Sequence, residues 1–123
     1  HGTLADLEAN LADLGPRYKK DVYITEVAYP WSRDPARGSG FAYNMDLRTK
    51  YPATPQGQAD FLSEVVAIAK RTGTKGVLYW APTWISTKGK HIPWSNMATF
   101  NDDGEALPAV EALGKAARGR PRG

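Results

Sequence analysis

The stretch Val22-Tyr23-Ile24-Thr25-Glu26-Val27-Ala28, followed at once by Tyr29-Pro30-Trp31, decides how the rest of the chain is interpreted. It is rich in β-branched and aromatic residues and mostly apolar on both alternating faces, which is typical of a strand covered on each side in a parallel sheet. Its single carboxylate, Glu26, lies near the strand end beside aromatic rings. Most acidic residues near strand ends are solvated or paired, so the case for chemistry at Glu26 depends on the remaining sequence.

Helix signals flank this strand on both sides. Thr3 is a suitable cap for a run of leucines at helical spacing, and Gly15-Pro16 is expected to stop that helix. Thr54 and Pro55 form a second helix start, because a capping hydroxyl followed by proline at the first helical position is a strong signal. The predicted elements are a helix over about 4–14, a strand over 22–28, a helix over about 55–72, a strand over 76–80 and a weaker helix over 107–117.

The alternation of helices and strands predicts an α/β fold with parallel strands joined by crossover helices. The connections after the strands, about 29–53 and 81–106, are long, whereas those from helix to strand are short. Long loops at the carboxyl ends of strands are typical of (β/α)₈ barrels, whose active sites are built from these loops. Doubly wound sheets have the same feature.

Aromatic residues concentrate in these two connections. Ten of the thirteen rings lie in them or at the strand ends that lead into them: Tyr29, Trp31, Phe41, Tyr43, Tyr51, Tyr79, Trp80, Trp84, Trp94 and Phe100. Flat rings suit the flat faces of pyranose sugars, so together they favour a carbohydrate cleft around Glu26. The alternative is that the rings only pack the loops onto the sheet. A phosphate site is disfavoured, because Gly38-Ser39-Gly40 does not link a strand to a helix start.

Composition narrows the other classes of function. With 123 residues and 41% hydrophobic content, the chain is expected to be one domain or a piece of one, with a domain over 1–117 and a basic flexible tail over 118–123. Four of its positive charges lie in the last nine residues, which favours a solvated tail over a nucleic-acid interface. No apolar stretch has the roughly 20 residues of a membrane span. The chain begins at His1 rather than at Met, so we expect its natural start to be missing or removed.

Three ordered strings carry a resemblance to a known family: Ile24-Thr25-Glu26-Val27-Ala28-Tyr29-Pro30-Trp31, Tyr51-Pro52-Ala53-Thr54-Pro55-Gln56-Gly57-Gln58-Ala59-Asp60-Phe61 and Tyr79-Trp80-Ala81-Pro82-Thr83-Trp84-Ile85. In these strings the chain resembles glycoside hydrolase family 53, the endo-β-1,4-galactanases. Matching residues near His1 and from Trp94 to Pro108 extend the resemblance to nearly everything except the tail.

The resemblance implies that the chain is the carboxyl-terminal portion of a (β/α)₈ barrel, containing strands seven and eight with their flanking helices. It implies hydrolysis of internal β-1,4-galactosidic bonds in (arabino)galactan with retention. Glu26 would be the nucleophile, and the acid/base Glu of strand four is absent here. The implied substrate-binding residues are His1, Tyr29, Trp31, Trp80, Trp84 and Asn96. The resemblance also implies a galactan-type polysaccharide as partner, secretion, and no cofactor.

Two departures from the family pattern follow. The family usually has Glu where this chain has Ala81, which predicts the loss of one polar contact in the cleft. Some bacterial members bind calcium after strand seven, but residues 37–44 here offer at best Ser39 and Asn44 as oxygen ligands, so we expect no metal. The two histidines, His1 and His91, are too few for a metal site or a Ser-His-Asp arrangement.

Other interpretations stay open at the level of sequence. Two strands cannot close an eight-stranded barrel, so we expect the chain alone to be weakly stable or self-associated, inactive or nearly so, and completed by a missing amino-terminal portion. A non-catalytic carbohydrate-binding fragment would use the same rings without Glu26. A barrel glycosidase acting on another β-1,4-glycan is the nearest enzymatic alternative. No membrane or nucleic-acid partner is expected.

Overall fold

A computed structural model describes residues 2–37, 49–87, 90 and 92–118. Its helices and strands are α1 (Leu4–Tyr18), β1 (Tyr23–Val27), α2 (Pro55–Arg71), β2 (Gly76–Tyr79) and α3 (Pro108–Arg118), with single 3₁₀ turns at Pro35–Arg37 and Ser95–Met97. The predicted α/β class and the predicted order of helices and strands are therefore confirmed. Both long connections follow the carboxyl ends of strands, as expected.

The two strands form a parallel pair with one irregularity. Ile24 lies opposite Val77 and Val27 lies opposite Tyr79, so three residues of β1 span the length of two on β2. An extra residue of this kind breaks the strict alternation of side chains. As a result, Ile24 and Val27 both pack against the core although they are three positions apart.

One face of this sheet carries the core. Ile24, Val27, Val77 and Tyr79 pack against a buried cluster that consists of Tyr29, Tyr51, Phe61, Leu62, Val65 and Ala109. Half of these buried side chains come from α2, two come from the first long connection, and Ala109 of α3 completes the layer. Leu62 and Ala109 are completely buried. The apolar periodicity of α2 thus determines which side of the sheet is covered.

The opposite face is open, which corrects the expectation of a strand covered on both sides. The side chains of Tyr23 and Leu78 are 54% and 53% exposed. The reason is that α2 and α3 pack on the same face, the one that carries Val77 and Tyr79. The apolar character of Tyr23 and Leu78 is what made β1 and β2 look doubly buried in sequence.

Helix α1 is longer than expected, since Gly15-Pro16 does not end it. The helix runs to Tyr18, includes Pro16, and ends at Lys19 in the left-handed conformation. Proline normally clashes with the Cβ of the preceding residue in a helix, but Gly15 has no Cβ, which removes part of that penalty. An ion pair of 2.7 Å between Arg17 and Asp13 also joins the two sides of the proline.

The carboxyl terminus differs slightly from expectation as well. Arg118, assigned to the flexible tail from sequence, is the last residue of α3, and the rest of the predicted tail lies outside the described residues. Among the helices that the structure describes, none is both long and apolar enough to cross a membrane.

Candidate functional site

A cavity of about 430 Å³ opens at the carboxyl ends of the two strands. It is lined by Glu26 and Val27 at the end of β1, by Ala28, by Trp80 just after β2, and by Trp94 from the second long connection. Its size lies in the range of small-molecule sites. A carboxylate beside two indole rings gives the cavity one charged group on an otherwise apolar wall.

Glu26 reaches this cavity because of the irregularity in β1. Val27 turns towards the core, and Glu26 remains on the exposed side of the strand end. In residues 2–37 and the other described ranges, no donor or cation contacts its carboxylate, and no second acidic residue lines the cavity. A solvated carboxylate at the rim of a pocket can attack or accept a proton, but it has no acidic partner in this part of the chain.

Three tryptophans form the aromatic wall. The ring centroid of Trp80 is 5.1 Å from that of Trp84 and 6.2 Å from that of Trp94. Both spacings are typical of favourable aromatic pairs. Trp84 is 46% exposed, so it extends the wall outwards from the cavity.

One residue of this wall, Trp94, and the neighbour of another, Ala81, have unusual backbone geometry. Ala81 and Trp94 have φ values of 55° and 74°, in the left-handed region that residues with a Cβ rarely adopt. Such strain persists only where the surroundings enforce it and concentrates at functional sites. Nearby, the backbone N–H and hydroxyl of Thr99 both donate to the carbonyl of Pro82, at 2.8 and 3.1 Å.

Trp94 was not among the binding residues expected from sequence. Its sequence signals were membership of the set of ten rings in the two long connections and a place at the start of the family-like stretch from Trp94 to Pro108, and neither singles it out as a binding residue. Its position beside Glu26 results from a chain reversal that no local pattern encodes.

Trp31, expected to bind substrate, joins the two long connections. Its backbone N–H donates to the carbonyl of Asn96 at 2.9 Å, and its indole N–H donates to the carbonyl of Ser95 at 3.1 Å. The guanidinium of Arg37 lies 4.9 Å from the ring centroid, within cation–π range. Arg37 also forms ion pairs with Asp34 at 3.4 Å and with Asp102. One face of the Trp31 ring is therefore occupied by the protein.

Tyr29 and Asn96, also expected to bind substrate, are 4% and 2% exposed. The Tyr29 ring stacks on Phe61 at 4.1 Å, and its hydroxyl donates to the carbonyl of Tyr51 at 2.6 Å. In this structure Tyr29 packs the first long connection against α2. Of the residues expected from sequence, the structure brings Glu26, Trp80 and Trp84 together, whereas His1 lies outside the described residues.

The clearly shifted pKa values belong to exposed groups on helices. The backbone N–H of Thr3 donates to Asp6 and lowers its pKa, and a hydrogen bond from Arg71 lowers the pKa of Glu8. These groups do not line the cavity. Within the described ranges, no cluster of three or more His, Asp or Glu could hold a metal. The stretch expected to lack calcium is described only at Arg37.

Comparison with known proteins gives these features a context. The family model for glycosyl hydrolase family 53 matches residues 1–113. The chain is 34% identical over 115 residues to an arabinogalactan endo-beta-1,4-galactanase of Cellvibrio japonicus, covering 87% of this chain and 31% of that protein. It is also 34% identical over 123 residues to an uncharacterized protein in the bgaB 5′ region of Niallia circulans, covering 92% of this chain and 34% of that protein.

A solved structure agrees with these relatives. The GH53 catalytic domain of Ignisphaera aggregans superposes with a TM-score of 0.75 at 34% identity, covering 92% of this chain and 35% of that one. The chain thus spans about a third of the length of the proteins that it matches. The resemblance stated from sequence is confirmed, and the α/β unit corresponds to part of a larger catalytic domain.

Proposed function

Since this chain belongs to glycosyl hydrolase family 53, we propose that it is part of an enzyme that hydrolyses internal β-1,4-galactosidic bonds in galactan with retention, and that Glu26 is the nucleophile. The observation that carries the proposal is the cavity in which the Glu26 carboxylate, at the end of β1, lies beside Trp80 and Trp94. The similarity to the arabinogalactan endo-beta-1,4-galactanase of Cellvibrio japonicus supports galactan as the substrate.

The proposed chemistry needs two carboxyl groups about 5 to 5.5 Å apart. A carboxylate oxygen of Glu26 attacks the anomeric carbon, the bond to the leaving oxygen breaks, and a second carboxylic acid gives that oxygen a proton. Water then attacks the anomeric carbon of the glycosyl ester and loses its proton to the second group, which releases Glu26. In the described part of the chain no other acid lines the cavity, so the second group must come from elsewhere.

The source of that second group is the remainder of a barrel. We assign β1 and β2 to strands seven and eight, with the open face of the sheet towards the barrel interior. Two observations support a missing remainder: the chain covers about a third of each relative, and Tyr23 and Leu78 are half exposed on that face. The strand numbers themselves rest on the resemblance described from sequence. The alternative partner for the same face is a second copy of this chain. The extracellular location expected from the resemblance stays a prediction.

The test restores a complete barrel. The 123-residue chain is expressed with the amino-terminal two-thirds of the Cellvibrio japonicus relative, and release of galacto-oligosaccharides from β-1,4-galactan is measured. We expect activity in the assembled enzyme, and a loss of at least about a thousandfold in kcat for Glu26→Gln. Asp60→Asn, an exposed acid on α2, is the matched control and is expected to be silent. Full activity of Glu26→Gln would refute the assignment.

The chain alone is expected to be inactive or nearly so, because Glu26 is the one acid that lines the cavity among the described residues. Galactan hydrolysis by the purified 123-residue chain, abolished by Glu26→Gln, would contradict this expectation. A panel of β-1,4-linked galactan, mannan and glucan substrates separates the proposed activity from that of another barrel glycosidase.

A carbohydrate-binding role without catalysis is the second candidate, and the exposed ring of Trp84 favours it. Trp84 is 46% exposed and lies next to Trp80, so these two rings could hold a sugar without Glu26. Retardation on a galactan gel that survives Glu26→Ala but is lost in Trp84→Ala would support binding alone. Loss of retardation in both variants would tie binding to the proposed catalytic cavity.

A further inference from the structure

We propose that Gln58 and Tyr79 are positioning residues that hold together the three chain segments lining the cavity, a role that rests on the proposed function. Neither side chain lines the cavity itself. Their importance follows from the segment Thr54-Pro55-Gln56-Gly57-Gln58 at the start of α2, which is among the most specific strings of the sequence and which the proposed chemistry does not use.

The geometry of this segment fixes where Gln58 lies. The Thr54 hydroxyl accepts a hydrogen bond from the N–H of Gly57 at 3.0 Å, and Pro55 occupies the first turn. Gly57 approaches the preceding chain so closely that a Cβ there would lie 1.8 Å from the carbonyl oxygen of Pro52. Only glycine permits that approach. The start of α2 is thereby pressed against the first long connection, with Gln58 directed inwards.

Gln58 is completely buried and bonds to both long connections. Its Nε2 donates to the carbonyl of Tyr29 at 2.8 Å and to that of Ala98 at 2.9 Å. Carbonyl oxygens on both sides require the nitrogen in this position, because the amide oxygen would face other acceptors if the group were turned over. One side chain therefore joins a residue three positions after Glu26 to a residue four positions after Trp94.

The hydroxyl of Tyr79 completes the connection at the end of β2. It donates to the carbonyl of Met97 at 2.6 Å, and it accepts from the backbone N–H of Tyr29 at 3.1 Å and from Nε2 of Gln58 at 3.2 Å. Tyr79 directly precedes Trp80, the ring beside Glu26. The hydroxyl thus extends the network to the third segment of the cavity wall.

The hydrogen bonds of Gln58 and Tyr79 therefore hold the three segments that carry the lining residues, although neither side chain lines the cavity. Glu26, Trp80 and Trp94 come from three chain segments. The strand pairing joins two of them, since the N–H of Trp80 donates to the carbonyl of Val27 at 2.9 Å. Hydrogen bonds to Gln58 or Tyr79 join all three. Groups held by one hydrogen-bonded unit keep their mutual geometry, and a displacement of about 1 Å at a reacting group can cost about 100-fold in rate.

The experiment compares Gln58→Met, which keeps the length but removes both donors, with Tyr79→Phe, which removes only the hydroxyl. Gln56→Met is the matched control, because Gln56 belongs to the same string but is exposed, and within the described ranges its side chain bonds to Asp60 alone, at 2.8 Å. The first readout is the near-ultraviolet circular dichroism of the tryptophans in the 123-residue chain, with far-ultraviolet spectra to monitor the helices. The second is kcat and KM in the barrel assembled with the Cellvibrio japonicus portion.

We expect Gln58→Met and Tyr79→Phe to change the tryptophan spectrum at unchanged helix content and to lower kcat about 10- to 100-fold with little change in KM. Gln56→Met is expected to change neither. A role in stability alone would lower the melting temperature and leave kcat per folded molecule unaltered, and that result would overturn the proposal. If Gln58→Met does not fold, the proposal is tested by the milder Tyr79→Phe, with the same measurements of the tryptophan spectrum and kcat.

Failure of this inference is distinguishable from failure of the proposed function. If Glu26→Gln retains activity in the assembled barrel, the nucleophile assignment fails. If Glu26→Gln is inactive while both network variants keep the parental kcat and tryptophan spectrum, only the positioning role fails. If the assembled barrel cannot be obtained, the spectrum of the 123-residue chain decides: an unchanged tryptophan signal in both network variants overturns the proposal.

Discussion

The two faces of the β1–β2 sheet are built from similar residues but have opposite environments. On the helix side, Val77 and Tyr79 pack against α2 and α3. On the other side, Leu78 and Tyr23 are about half exposed, and Glu26 stands at the strand end. The crossover helix α2 and the following helix α3 lie on one side only, which leaves the second apolar face for contacts outside the described unit.

This difference separates the face that stabilises the fold from the face that is available for interactions. The covered face supplies the burial that favours folding, and the network of Gln58 and Tyr79 lies on that side. The open face carries large apolar side chains that soluble monomers seldom expose together, and such patches mark interaction surfaces. Glu26 and its neighbouring rings lie where this surface meets the carboxyl ends of the strands, which is where barrel enzymes have their active sites.

The largest expected effect breaks the covered face at the start of α2. Gly57→Ala would put a methyl group 1.8 Å from the carbonyl oxygen of Pro52, so the helix start must move. We expect a loss of about 3 kcal/mol or more in the free energy of unfolding, measured by urea denaturation. Gly114→Ala is the control, because the nearest atom to its added methyl group is 3.9 Å away; a helical position of this kind should gain up to about 1 kcal/mol. Equal effects would contradict the close approach at Gly57.

A second pair of variants tests the two faces directly. Leu62 is fully buried, and Leu62→Ala is expected to cost about 2 to 5 kcal/mol because it leaves a cavity. Leu78 is 53% exposed, and Leu78→Ala should cost less than about 1 kcal/mol. Both are measured by urea denaturation at several protein concentrations. A large, concentration-dependent cost at Leu78 would show that a second copy covers the open face in solution.

A smaller effect is expected where Trp31 joins the two long connections. Arg37→Met removes the cation over the Trp31 ring and the ion pair with Asp102. We expect a loss of about 1 kcal/mol, together with a shift in tryptophan fluorescence because the ring face becomes hydrated. Arg17→Met, which removes an exposed ion pair on α1, is the control and should leave the fluorescence unchanged. An unchanged spectrum in Arg37→Met would mean that Arg37 does not cover Trp31 in solution.

The smallest effect concerns pH and the contact between α1 and α2. Arg71 donates to Glu8 at 2.8 and 2.9 Å and lowers the pKa of Glu8 below its ordinary value of 4.5. A lowered folded-state pKa means that this contribution to stability is present above pH 4.5 and is lost as the pH falls through the lowered value. At pH values above 4.5, Glu8→Gln should therefore have a slightly lower melting temperature than the parent chain, and this difference should vanish at lower pH, so that the acid limb is flatter. An identical acid limb in both proteins would show that the pair does not form in solution.

Much of the fold was predictable because its signals are local. The cap at Thr54, the proline after it and the inward apolar positions of α2 specify a helix without reference to other segments. The error at Pro16 had a local cause too, because the glycine before it relieves the clash that normally ends a helix. The covered and open faces were not distinguishable, since Leu78 and Val77 are equally apolar in sequence.

The sequence by itself determined the helices, the strands, the family, and the strand-end carboxylate as the group to explain. Only the tertiary structure decided which rings join it: it brought Trp94 to the cavity, buried Tyr29 in the core and turned Trp31 towards Arg37. The physical reason is that periodicity and capping act over a few residues. Contacts between segments some 20 to 70 positions apart depend instead on how the long connections close over the sheet and on the buried groups, Gln58 above all, that hold them there.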